Sequence, residues 1–270
     1  MHRVLDKMKF LQFWLLVFAL SLPIWAISTR VKVAGLPLDV PVTDFALTFI
    51  PAIAACILVG KSEGVVGVKR LLKRVFDFSR IGRKIWYLPM LLLMPAIYLA
   101  IYRALRWFGL PLPSGIELPF SLMLMPIFAL VVFIGTAGEE LGYMGYAIDP
   151  TQEQWGALKT AVVMGLLWAI WHYPSIIQQG HGLIWIAWGT LGTVAVRVLI
   201  VWLYNNTARS VFACIIFHSI ANLGRIFFPK DQIHNPLVDY PGLHYSTIAL
   251  AALVVIFLWG AKTLARYRYA

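Results

Sequence analysis

Charge is what this sequence has least of. Asp, Glu, Lys and Arg make up 13% of its 270 residues, about half the usual share of a soluble domain. No polar stretch is long enough to close a soluble core of its own. Acids are the scarcer sign, 12 against 23 Lys and Arg, for a net charge of +11. The bases fall between apolar runs and do not tile one face, which argues against a nucleic-acid partner. There are two cysteines, Cys56 and Cys214, both inside apolar runs, so neither a disulfide framework nor a cysteine metal site is available. Strand-like alternation, internal repeats and low-complexity tracts are absent, which removes the barrel and solenoid classes.

What is present is hydrocarbon: 60% hydrophobic residues and a mean hydropathy of +0.78. A bilayer span needs about 20 apolar residues, and only helices or closed barrels satisfy their backbone in lipid. The runs predict spans over Phe10–Ser28, Val42–Gly60, Trp86–Phe108, Pro119–Ala147, Ala157–Ile177, Leu183–Tyr204, Ser210–Phe228 and Tyr245–Leu264. The expectation is an all-α polytopic membrane helix bundle of about eight transmembrane helices, forming one integral membrane domain over residues 1–270. The basic start, Met1 to Lys9, followed by Phe10–Ile27, resembles a signal sequence. The run is too long for a signal's apolar core and is read as a first span that also targets the chain.

Lys61, Lys69, Arg70, Lys73, Arg74, Arg80, Arg83 and Lys84 face only Glu63 and Asp77 in their segment. Positive-inside bias assigns it to the cytoplasm. Eight spans then put Arg3, Lys7 and Lys9, and Lys262, Arg266 and Arg268, on that same side, so both termini are expected to be cytoplasmic at a plasma or inner membrane. Val65, Val68, Leu71, Leu72, Val75 and Phe76 recur at helical spacing opposite the bases, the pattern of an interfacial helix on anionic lipid.

Ionisable groups inside apolar helices are costly and mark function. Glu139 and Glu140 lie in Phe133-Ile134-Gly135-Thr136-Ala137-Gly138-Glu139-Glu140-Leu141-Gly142-Tyr143-Met144-Gly145-Tyr146, among small residues that let helices approach. Adjacent helical residues point about 100° apart, so one carboxylate can face the bundle centre while the other holds a second partner. If the fourth span ended at Gly138, both would be interfacial charges. His172 follows Trp168 by one helical turn, and a single His among aromatics also occurs as a hydrogen-bonded core residue. His218 and Asn222, four apart, share one helix face. Polar groups of this kind also join spans through hydrogen bonds. Two acids, two histidines and a carboxamide on three spans can converge on one wet pocket.

These segments resemble the three motifs of the CAAX protease and bacteriocin-processing family, the Ras-converting endopeptidase group. That family's first motif is a Glu pair followed, after three intervening residues, by Arg, often within Glu-Glu-Leu-Gly-Trp-Arg-Gly. Its second places Phe or Trp four residues before His, matching Trp168 and His172, and its third is His with Asn or Asp four later, matching His218 and Asn222. The resemblance covers roughly residues 133–223, the motif-bearing catalytic core. Met144 stands where the motif has Arg, and a thioether cannot pair a carboxylate as a guanidinium does. Arg197, isolated inside the sixth span, is a candidate for the missing charge, as it is for a lipid-headgroup contact.

The resemblance implies an intramembrane endopeptidase acting on a membrane-associated or prenylated peptide or protein. Glu139 would be general base, His172 would help to position a water, and His218 and Asn222 would face the oxyanion. Glu140 completes the site, and no cofactor is required. A variant of the same chemistry uses Glu139, His172 and His218 as zinc ligands, although no His-Glu-x-x-His signature is present. The competing reading is a non-catalytic bacteriocin self-immunity factor or membrane scaffold with the same fold, which Met144 favours. A transporter would also bury acids and histidines, but no inverted repeat supports one.

Overall fold

A computed structural model describes residues 2–28, 42–113, 122–231 and 233–265. The side chains of Arg3 and Lys7, residues Arg266 and Arg268, and the expected start of the fourth span at Pro119 lie outside the described residues. Helices account for most of the described residues, and none of these forms a strand. The helices are α1 (His2–Ser28), α2 (Val42–Leu47), α3 (Ile50–Lys73), α4 (Tyr87–Trp107), α5 (Met125–Gly142), α6 (Ile148–Trp155), α7 (Ala157–Gln178), α8 (Leu183–Asn206), α9 (Val211–Ile226), α10 (Pro236–Asp239) and α11 (Pro241–Trp259).

Among the described residues, seven segments are long and apolar enough to cross a membrane, and α9 is a shorter apolar helix. At 16 residues α9 is about 24 Å long, less than a hydrocarbon core. It needs no greater length, because α4, α5 and α8 pack around it. The polytopic helical bundle is therefore as expected, with corrections at three places. The span expected over Val42–Gly60 is not one helix: α2 stops at Leu47, and α3 restarts with Pro51 in its first turn, where a missing N–H costs nothing. Next, α3 runs past Gly60 to Lys73 through a kink at Gly64, whose φ of 65° is open to glycine. Finally, the last helix begins at Pro241 and ends at Trp259, followed by Gly260 at φ 73°.

The turn after Gly260 has a structural use. The carbonyls of Lys262 and Ala261 accept the backbone N–H groups of Ala157 and Leu158, satisfying the exposed start of α7. The basic segment also departs from a simple amphipathic helix. Val65, Val66 and Phe76 are exposed, but Leu71 is buried and Arg74 turns inward. Arg74 donates to Gly145 O at 2.9 Å, Arg209 O at 2.7 Å and the Tyr204 hydroxyl at 3.0 Å. Three residues on, Asp77 caps α9. Its carboxylate accepts from Ser210 Oγ (2.8 Å), Val211 N (3.2 Å) and Phe212 N (3.0 Å). This satisfies N-terminal amides and sets a negative charge against the positive end of the dipole.

The end of α5 is wholly buried from Gly135 to Gly142. A methyl group on Gly138 would fall 2.5 Å from the Thr48 carbonyl oxygen, and one on Gly142 would fall 2.5 Å from the Pro51 backbone. Small residues are therefore required where α5 meets the α2–α3 junction. Beyond Gly142 the chain widens into one π-helical turn, Tyr143–Ala147, before α6. Cys56 and Cys214 are both free.

Candidate active site

Glu139 and Glu140, adjacent on α5, separate as helical geometry requires. Glu139 Oε2 accepts from Trp168 Nε1 on α7 at 2.8 Å. Its other oxygen has no hydrogen-bond partner among the described residues. Glu140 faces α8 and α9. Arg197 Nη1 lies 3.1 Å from its Oε1 and 2.8 Å from its Oε2, and His218 Nδ1 lies 2.9 Å from Oε1. Arg197 and Glu140 are fully buried.

Arg197 on α8 thus neutralises the carboxylate for which position 144 offers no charge. Met144 is itself fully buried. The remaining guanidinium nitrogens, Nε and Nη2, have no hydrogen-bond acceptor among the described residues. The cation instead lies over two rings, 4.3 Å from the Trp168 centroid and 4.9 Å from that of Tyr143, where ring quadrupoles favour positive charge. Tyr143 is in turn stacked on Trp14, centroids 5.3 Å apart at 17°.

Trp168 has a second task. Its carbonyl lies 2.8 Å from His172 Nδ1, so that nitrogen carries the proton and Nε2 keeps a free lone pair. His218 is fixed similarly. A carboxylate can only accept, so Nδ1 donates to Glu140 and Nε2 is left for another partner. The Trp168 ring packs edge-on to both histidines, with centroids 5.6 Å from His172 and 5.1 Å from His218. Asn222, one turn beyond His218, is half-buried and makes no side-chain hydrogen bond among the described residues.

Glu139, Glu140, His172 and His218 are therefore gathered around Trp168 and Arg197, and Asn222 continues the His218 face. The zinc set is a poor fit. Among the described residues no three His, Cys, Asp or Glu side chains come together to hold a metal ion. Glu139 Oε1 and the Nε2 atoms of His172 and His218 are all unengaged among these residues, so spacing and not hydrogen bonding stands against the set. Tyr143 escaped the sequence reading although it lies four residues after Glu139, one turn along the same face. Arg74 and Asp77 escaped it too, because a charge in a basic loop carries no local sign that it caps a helix more than a hundred residues away.

Residues 121–224 match the family model described as type II CAAX prenyl endopeptidase Rce1-like. This stretch contains all five site residues. The resemblance read from the three motifs is borne out. The chain is also 27% identical over 187 residues to CAAX prenyl protease 2 of Methanococcus maripaludis, an alignment covering 65% of this chain and 68% of that relative. That alignment is longer than the stretch matched by the family model.

Proposed function

We propose that the chain is an intramembrane endopeptidase of the Rce1-like type, cleaving a peptide bond near the end of a membrane-associated, prenylated substrate. The observation that carries this reading is the double role of Trp168, which orients a carboxylate through its indole and an imidazole through its carbonyl. Water held by His172 Nε2 gives a proton to Glu139 as its oxygen adds to the scissile carbonyl carbon. The carbonyl oxygen becomes an oxyanion facing His218 and Asn222. Asn222 donates from its amide, and His218 donates from Nε2 when its ring carries a second proton. Collapse of the tetrahedral intermediate breaks the C–N bond, and the proton on Glu139 passes to the leaving amine. Glu140 takes no proton: held by Arg197, it orients His218. The substrate class rests on the names of the relative and the matched family, and the lipid surroundings on the seven apolar segments.

The decisive experiment is cleavage of a prenylated CAAX peptide by purified protein in liposomes. Glu139→Gln and His172→Ala should each abolish turnover while expression and oligomeric state stay as in the unmutated protein. Asn222→Ala should cost about 10² to 10³ in rate, the usual loss of one oxyanion donor. Dialysis against a chelator should leave the rate unchanged. Wild-type turnover in Glu139→Gln would reject the mechanism. Absence of turnover in the unmutated protein would favour a scaffold or immunity role.

A further inference from the structure

Helix α9 has two faces of opposite character. Ile220, Leu223, Gly224 and Phe227, with Tyr98 and Tyr102 of α4, line an apolar cavity of about 700 Å³. The other face carries His218, Asn222 and Arg225, spaced at i, i+4 and i+7, so the three project within about 60° of arc. Two of these belong to the site described above. Arg225 completes the stripe: it is exposed, and among the described residues it has neither a hydrogen bond nor an ion pair. Contrast Arg197, Arg74 and Arg209, which are all paired. Arg225 also lies near enough to His172 to act on it electrostatically. Among the described residues no carboxylate answers Arg225.

We propose that Arg225 is a specificity-determining residue that binds a carboxylate of the peptide substrate, beyond the oxyanion position, through its guanidinium fork. This inference rests on the peptidase reading of the site. A planar guanidinium matches a carboxylate with two parallel hydrogen bonds, a fit that an ammonium reproduces only in part. Asn222 lies between His218 and Arg225 on the stripe, so a peptide whose scissile carbonyl faces His218 and Asn222 carries its downstream end towards Arg225. The recognised group is then the terminal carboxylate or an acidic side chain close to it.

The test separates binding from turnover by using Glu139→Gln protein in discs of neutral lipid. Three fluorescent S-prenyl-cysteine peptides are compared: one with a free terminal carboxylate, one with a terminal amide, and one amidated but ending in Asp. The free-carboxylate peptide should bind about tenfold or more tighter than the amide, the scale of a charge-assisted pair. Arg225→Gln should erase that ratio without changing affinity for the amide, and Arg225→Lys should keep part of it. If the Asp peptide also gains affinity through Arg225, the receptor accepts a side-chain carboxylate as well. An unchanged ratio in Arg225→Gln, or equal binding of all three peptides to Glu139→Gln protein, overturns the proposal and leaves Arg225 as a lipid-headgroup contact. These readings need no cleavage, so a failure of the peptidase reading is recognised separately, by absence of turnover in the unmutated protein.

Discussion

Arg197 and Glu140 are 57 residues apart on different helices, yet the guanidinium of one donates to both carboxylate oxygens of the other with neither exposed to solvent. The pair places the charge that the first motif normally supplies one helical turn after the Glu on a neighbouring helix. Met144 is thereby free to be apolar. Removing one partner of a buried pair leaves an uncompensated charge, which costs about 3–5 kcal/mol. Arg197→Met should therefore lower the unfolding temperature in detergent sharply. Met144→Arg alone should also destabilise, because it forces a second guanidinium into a fully buried position whose carboxylate is occupied. Combined, the two should recover stability and turnover, since Met144 is one helical turn from Glu140 and can reach it. A double variant no better than Arg197→Met would mean that positions 144 and 197 are not alternatives.

The close approach of α5 to the α2–α3 junction sets the depth of both acids. Gly138→Ala and Gly142→Ala each insert a methyl within 2.5 Å of fixed backbone, an overpacking that typically costs about 1–3 kcal/mol. Each should lower thermal stability, and Gly138→Ala, adjacent to Glu139, should lower turnover further than stability alone explains. Gly145→Ala makes a useful control, because its nearest neighbour is the end of the Leu71 side chain, which can move. Equal losses at all three positions would argue against backbone contact as the cause.

Much of this was legible in the sequence. Apolar run length sufficed for the helices because lipid permits few alternatives, and the paired acids, the Trp168–His172 turn and the His218–Asn222 turn were visible as local spacings. What local spacing cannot carry is a partner on another helix. Arg197 was a candidate only because a charge in a span demands an explanation, and its choice of Glu140 depends on how α8 packs against α5 and α9. Arg74 and Asp77 looked like ordinary members of a basic segment, and only the folded arrangement turns them towards Gly145 and the start of α9. The break between α2 and α3 was missed because hydropathy is continuous across it, while the backbone is interrupted at Thr48 and Phe49.

Orientation in the bilayer is tested by labelling. Ser79 in the basic segment and Ile233 between α9 and α11 are both exposed, and with α9 counted beside the four long apolar segments between them, five crossings are expected to separate them. With Cys56 and Cys214 replaced, a cysteine at 79 should be protected from an impermeant maleimide in intact cells and one at 233 should react. This follows from the charge bias between Lys61 and Lys84. Labelling of both from the same side would contradict the crossing count, and the reverse pattern would place both termini outside.

Trp168 offers the cleanest dissection of the site, because its two hydrogen bonds come from different parts of the residue. Trp168→Phe removes the indole N–H that reaches Glu139 but keeps the carbonyl that holds His172 and an aromatic ring between the two histidines. A hydrogen bond to a charged group is worth about 1.5–3 kcal/mol, and its loss from a positioned base should lower kcat about tenfold to a hundredfold. KM should change little, since Trp168 holds the acid and not the substrate. Thermal stability should fall modestly from the smaller ring and the weaker support of Arg197. If kcat and KM stay as in the unmutated protein while only stability falls, Trp168 is a packing residue and Glu139 needs no orienting donor. If kcat alone falls, the indole N–H is part of the machinery, and Trp168→Phe combined with Glu139→Gln should be no worse than Glu139→Gln alone.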